Sequence, residues 1–441
     1  MGVGPSLRIK EILSIQSLSD CCYPVSPYIP FPKDIWPAGD DGLVSGFHIL
    51  PEKLRRGVDD GTWFWWCDAE FVPFKDNTLY ATSSAYHPRP GQTWTPVPNA
   101  MNGRVLQYNL LAPDDVQCTI FSRTNSTVLP NVVPHPLGEM VAYCGTGEAV
   151  VMANNGDPVY TRSRDLANAV HVYCSVANNG ISLACLKRGT LDFFLELYEL
   201  DSGIQTNASM RCRQICQGFI PSRNRTDNVA CKFSPNSRLL AVSGSQGILF
   251  TVRATTLAKY LTICPDLLDE NLSSPLAFDF NPQFAFEVLT VATKNRFVHT
   301  LNISTAEVLS SFETDEDVDC LNYSRDGQLI AVGFHNFDIV VYDSENQNVF
   351  HSIDMSVLCQ EQTQRIQRGY PTILHLSFSQ NGEHLASTTC DGQLRLWRIP
   401  RVFSLQELCR DAILASTPIR KIQRLQNIPQ KMINLLLYKY F

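Results

Sequence analysis

Three stretches of this 441-residue chain follow one pattern, and that repetition constrains the fold more than any other feature. They read FSPNSRLLAVSGSQGILFTV from Phe233, YSRDGQLIAVGFHNFDIVVYD from Tyr323 and FSQNGEHLASTTCDGQLRLWR from Phe378. In each, an aromatic residue ends a short strand and a polar turn with Asn, Asp or Gly follows. An apolar strand comes next (Leu239 to Ser243, Leu329 to Gly333, Leu385 to Thr388). A second turn then leads to an alternating strand that ends on an aromatic residue (Ile339 to Tyr342, Gln393 to Trp397). Short β-rich runs separated by Gly, Asn and Asp are hairpin signals. Weaker copies are anchored near Phe71, Val133, Val176 and Phe280, so successive anchors stand 43 to 62 residues apart. The wider spacings require insertions at turns, where repeat folds accept them.

This pattern resembles the WD-repeat family, whose unit is one four-stranded blade with a period of about 40 to 45 residues. The resemblance spans roughly residues 40 to 400 and is strongest in the last four units. The Trp-Asp signature is degenerate, reading Tyr342-Asp343 and Trp397-Arg398. The fold class it implies is an all-β WD-repeat β-propeller of about seven blades, with eight as the alternative, followed by a small α-helical domain. The division is an N-terminal extension over residues 1–40, the propeller over 41–400 and the helical tail over 401–441. The last unit has no room for a fourth strand before the tail begins. An open edge invites aggregation, so Gly42 to Leu50 is expected to complete that blade. The proline-rich insertion from Ala85 to Asn102, around Trp94, reads as a rim loop that joins no central strand. A partner-binding role for it is the second reading.

Composition narrows the class. With 44% hydrophobic and 18% charged residues the chain has material for a packed core. A formal net charge of -7 makes a nucleic-acid partner unexpected. Fifteen scattered cysteines form no Cys-x-x-Cys pair. Cys212 and Cys216 have no His partner, so no metal site is expected. The cysteines read as small buried hydrophobes in a reducing, intracellular setting, cytoplasmic or nuclear. No apolar run is long enough to span a membrane. Gly2 with Ser6 fits the myristoylation pattern only loosely, and no stable membrane association is expected. Nucleotide-binding and hydrolase motifs are missing, so no catalytic residue and no cofactor are expected. Cys144 to Val150 reads as a hairpin turn, and His335, His375 and His384 read as hydrogen-bonded structural imidazoles.

The tail departs from the repeat. Ser404 is a good N-cap with Glu407 completing a capping box. Leu405, Leu408, Cys409, Ala412 and Ile413 form one apolar stripe, while Gln406, Glu407, Arg410 and Asp411 face the other way. Ser416 to Pro418 ends the helix. A second helical stretch holds Ile419, Ile422 and Leu425, and a third begins after Pro429. So short a segment cannot supply its own core. Its stripe must bury against the propeller, a partner, or both.

SLQELCRDAI followed by LQNIPQKMINLLLY resembles a SOCS box. Ser404, Leu405, Cys409 and Ile413 match that family's elongin C-binding pattern, with Leu408 and Ala412 on the same stripe. The second motif, which selects the cullin, is half lost. Leu425, Ile428 and Pro429 are the residues left to carry it. The order of domains resembles the WD-repeat and SOCS-box-containing proteins. The resemblance implies the substrate receptor of a ubiquitin ligase with elongin C, elongin B, cullin-5 (cullin-2 as the alternative) and a RING partner. The competing class is a propeller scaffold without ubiquitin chemistry. The target protein is unknown. Two charged runs stand out, Glu313 to Asp319 and Arg211 to Arg225, and both read first as solvated loop. Within the acidic run, Asp315, Glu316 and Asp317 are the candidate target-binding residues.

Overall fold

A computed structural model describes residues 29, 31–32, 36–50, 63–87, 95–96, 104–112, 115–123, 131–136, 138, 140–145, 148–153, 158–163, 170–188, 192–201, 211–221, 230–243, 249–264, 275–283, 287–293, 295–356, 358–359, 372–417, 422 and 428–437. Gly2, Ser6, Trp94 and most of the proline-rich insertion lie outside them.

Among the described residues the strands group into seven sheets, six of four strands and one of five. The strand β1 (Leu43–His48) belongs to the last sheet. Blade 1 is the five-stranded sheet. It holds β2 (Trp63–Val72), β3 (Lys75–His87), the two-residue β4 (Thr95–Pro96), β5 (Arg104–Ala112) and β6 (Asp115–Arg123). Blade 2 runs from the inside outward as β7 (Val132–Pro134), β8 (Met140–Gly145), β9 (Glu148–Ala153) and β10 (Pro158–Ser163). Blade 3 is β11 (Val170–Val176), β12 (Ser182–Arg188), β13 (Asp192–Asp201) and β14 (Arg211–Pro221). Blade 4 is β15 (Cys231–Phe233), β16 (Leu239–Ser243), β17 (Leu249–Arg253) and β18 (Lys259–Cys264). Blade 5 is β19 (Pro275–Phe280), β20 (Val288–Thr293), β21 (Phe297–Asn302) and β22 (Glu307–Glu313). Blade 6 is β23 (Val318–Tyr323), β24 (Leu329–Phe334), β25 (Asp338–Asp343) and β26 (Val349–Asp354). Blade 7 is β27 (Ile373–Phe378), β28 (His384–Thr389) and β29 (Gln393–Arg398), completed on the outside by β1.

Two sequence expectations change. Six sheets have four strands, and the first blade has a fifth because Thr95–Pro96 adds a short strand. That strand pairs Tyr86 with Pro96 and His87 with Thr95, so part of the proline-rich insertion does join the sheet. Proline is tolerated there because the pairing sits at the end of a strand, where its missing N–H breaks no central ladder. The first part of the arginine run, residues 211–221, is not loop either. Arg211–Pro221 is the outer strand of blade 3, paired along its length with β13.

The repeat pattern has a physical cause at each turn between the inner and second strands. Ser234, Ser324 and Ser379 each accept a hydrogen bond from the backbone N–H that opens the next strand, at 2.9, 3.0 and 3.0 Å. The Asn236, Asp326 and Asn381 side chains accept from the backbone two residues on, at 3.0, 3.2 and 3.0 Å. The next position is left-handed in all three turns: Ser237 at φ 60, Gly327 at φ 72 and Gly382 at φ 72. The second strands β20, β24 and β28 are buried along their whole length because neighbouring blades cover both faces. The outer strand β22 is exposed or half-buried at every position.

The inner strands β2, β7, β11, β15, β19, β23 and β27 touch in sequence around a closed ring. A side chain of one blade captures a backbone N–H of the next at six of the junctions. Asp68 accepts from Val132 (2.8 Å), Asn131 from Cys174 (3.0 Å) and Ser175 from Phe233 (3.3 Å). Asp279 accepts from Tyr323 (3.0 Å), Asp319 from Ile373 (3.1 Å) and Ser377 from Phe71 (3.1 Å). Between blades 4 and 5 the link is an ion pair, Lys232 Nζ to Asp279 Oδ1 at 3.0 Å. Closure follows the strand accounting: β1 lies antiparallel to β29, pairing Phe47 with Leu394 and His48 with Gln393. Phe31 and Trp36, upstream of β1, are buried in the core shared by blades 7 and 1.

Burial pushes the thiols of Cys67, Cys231, Cys320 and Cys390 well above their ordinary value. These cysteines are unreactive packing groups. Among the described residues no helix is long and apolar enough to cross a membrane.

Candidate functional site: an outward-facing helix on the propeller

The tail helix α1 (Leu405–Ser416) begins at Ser404 with the capping box complete: Glu407 N donates to Ser404 Oγ, and Ser404 N donates to Glu407 Oε2 at 2.8 Å. A second helix, α2 (Gln430–Leu436), starts after Pro429. Between them only Ile422 is described, and it is buried. Ile419 and Leu425 lie outside the described residues.

The helix docks by its polar face. Leu405 is 77% exposed and Leu408 52%, and Cys409, Ala412 and Ile413 are exposed beside them. The buried positions are Glu407, Arg410 and Leu414. The sequence pattern left open whether the stripe faces the propeller or a partner. The structure turns it outward because Arg401, just past the last blade strand, is itself nearly buried. Its guanidinium donates to the Asp326 carboxylate, to Gln328 Oε1 at 2.7 Å, to Glu407 Oε1 at 2.6 Å and to the Asn381 carbonyl at 2.8 Å. Glu407 therefore caps its helix with one oxygen and holds Arg401 with the other. A buried guanidinium needs such partners, and that demand outweighs burying a modest apolar stripe.

Leu414 supplies the apolar anchor that the sequence reading missed. It packs with Ile422, Ile433, Leu436 and Leu437 against Phe74 of the β2–β3 turn. Of the segment expected to select a cullin, Ile428 is half-buried against this cluster and Pro429 is exposed.

The acidic candidates lie elsewhere. Asp315, Glu316 and Asp317 precede β23, whereas Asp326, which grips Arg401, follows it. A six-residue strand spans about 20 Å, so the acidic loop and the tail sit on opposite faces of the ring. The loop is partly neutralised by Arg296, whose Nε reaches Asp317 Oδ1 at 3.1 Å and whose Nη1 reaches the Asp315 carbonyl at 2.7 Å. Beside it, the Asp319 hydrogen bond at 3.2 Å raises His335 above its ordinary value. Burial raises Asp338, while hydrogen bonds from Ser356 hold Asp354 below the usual carboxylate range.

Comparison with known proteins agrees with this architecture. Residues 280–367 match the family described as the anaphase-promoting complex subunit 4 WD40 domain, and residues 361–398 match the WD domain, G-beta repeat. Among solved structures the chain is similar to one in the crystal structure of a mitotic checkpoint complex. The TM-score is 0.55 at 14% identity, over 83% of this chain and 96% of that one. At that identity the likeness concerns the fold. No curated protein sequence matches the chain. The molecule is an all-β propeller whose residues 280–398 match WD40 repeats, with two short helices described at its C-terminus.

Proposed function

We propose that this propeller is the substrate-recruiting subunit of an elongin B/C–cullin RING ubiquitin ligase. One observation carries the reading: α1 is fixed to the ring through Arg401, Glu407 and Leu414 while its apolar stripe points to solvent. An amphipathic helix held with its apolar side outward has the geometry of helix-in-groove recognition. On this reading Leu405, Leu408 and Ile413 enter elongin C, with Cys409 and Ala412 permitting close approach under the cap at Ser404. Pro429, with Ile428 and Leu425, would bear on the cullin, cullin-5 in the first instance and cullin-2 in the second. The target would sit on the opposite face, with Asp315, Glu316 and Asp317 as its acidic contacts. The receptor needs no catalytic group, because recruited machinery would transfer ubiquitin by proximity.

A purified elongin B/C complex tests the reading directly. The wild-type chain is expected to bind it, and Leu405→Arg with Cys409→Arg is expected to weaken binding at least a hundredfold with an unchanged melting temperature. Equal binding by both proteins, or none by the wild type, would leave the second reading: a propeller scaffold within a larger assembly. The match of residues 280–367 to a domain named for a subunit of a large complex favours that second reading.

A further inference from the structure

Sequence spacing gave no metal site, yet the ring brings three ligand-type side chains together from positions over 300 residues apart. Asp68 and Glu70 lie on β2 of blade 1, and His375 lies on β27 of blade 7. His375 Nε2 is 2.9 Å from Glu70 Oε1 and 3.1 Å from Asp68 Oδ1. Each of the other oxygens has its own donor: Ser377 Oγ serves Glu70 Oε2 at 2.6 Å, and Val132 N serves Asp68 Oδ2 at 2.8 Å.

Proton counting exposes a deficit. An imidazole nitrogen carries at most one proton, and Glu70 Oε1 is placed to accept it. Asp68 Oδ1 is then left facing Nε2 without a hydrogen bond, although Asp68 is only 4% exposed. A buried carboxylate oxygen with no donor is costly, and a cation aimed at all three atoms would satisfy them at once. The spacing suits one. Ligand bonds of about 2.1 Å at right angles set adjacent donor atoms about 3.0 Å apart. The three donor atoms lie within 4.8 Å of one another. Glu70 and Ser377 line the central cavity of about 220 Å3, which has room for waters to complete a coordination shell. Lys232 and Arg325 also line that cavity and balance Glu70 and Asp279 there, with Lys232 already paired to Asp279 at 3.0 Å.

We infer that Asp68, Glu70 and His375 form a binding site for one divalent metal ion of the carboxylate- and imidazole-seeking class, clasping blade 1 to blade 7 inside the channel. The ion takes the place of the Nε2 proton, which leaves to solvent. Mixed carboxylate and imidazole donors suit manganese or zinc, and manganese avoids the fifteen cysteines.

The test is titration of the full chain with Mn2+, following the electron paramagnetic resonance signal of the free ion. The expected result is one ion bound per chain, at least tenfold weaker in Glu70→Gln and in His375→Gln. Absence of stoichiometric binding by the wild type overturns the inference, as does unaltered binding in folded variants. Nitrogen modulation of the bound-ion signal in the wild type supplies a readout independent of the variants. Coupling to one imidazole nitrogen is expected, and its absence also overturns the inference.

Discussion

At the scale of single residues, Arg401 joins more of the molecule than any apolar side chain near it. It grips blade 6 through Asp326, blade 7 through the Asn381 carbonyl and the tail through Glu407. Arg401→Ala would strand a buried carboxylate at Asp326 and is expected to cost about 3–5 kcal/mol in urea unfolding. Gly327 is the other exacting position. It sits at φ 72, and an added Cβ would meet the Gln283 backbone nitrogen at 2.8 Å. Gly327→Ala is expected to cost at least about 1–2 kcal/mol from the left-handed backbone alone, seen as a lower denaturation midpoint. The polar turns with their Asn, Asp and Gly were legible in the sequence, because each acts within a few residues of itself, and the closing strand was legible because the last unit lacked a fourth strand. Arg401, Leu414 and the Asp68–Glu70–His375 group were not, because their partners come from distant blades. A lone arginine just after a strand carried no sign that Asp326 would need it.

Among elements, α1 is the one whose docking side its own periodicity leaves open. The stripe was visible at Leu405, Leu408, Cys409, Ala412 and Ile413, but amphipathicity reports only that a helix has two sides. Which side docks was decided by Glu407 and Arg401. The junction of blades 6 and 7 offers a test of a different kind. Asp319 binds the Ile373 amide with one oxygen and His335 with the other. Because the Asp319 hydrogen bond raises His335 above 6.5, the protonated pair adds stability that is complete below pH 6.5 and fades as pH rises through the folded-state value. Unfolding of wild type and His335→Asn across this range should show a stability difference that shrinks with rising pH. A constant difference would mean that charge on His335 contributes nothing.

For the whole molecule, the ring is fastened junction by junction through side-chain acceptors, and blade 7 additionally borrows β1. Deleting residues 1–50 removes β1 together with Phe31 and Trp36, and exposes the edge of β29. The truncated chain is expected to melt at a lower temperature and to aggregate with rising concentration, as scanning calorimetry and light scattering would record. An unchanged melting temperature would show that the outer strand adds nothing to the ring. The same strand sets a problem for biosynthesis. Its partner, beginning at Gln393, emerges from the ribosome roughly 350 residues after it, which at about 5–20 residues per second leaves β1 unmatched for some 20 to 70 s. For that interval the nascent chain carries a bare strand whose partner is still unmade, so the circle closes only when the final blade has been synthesised.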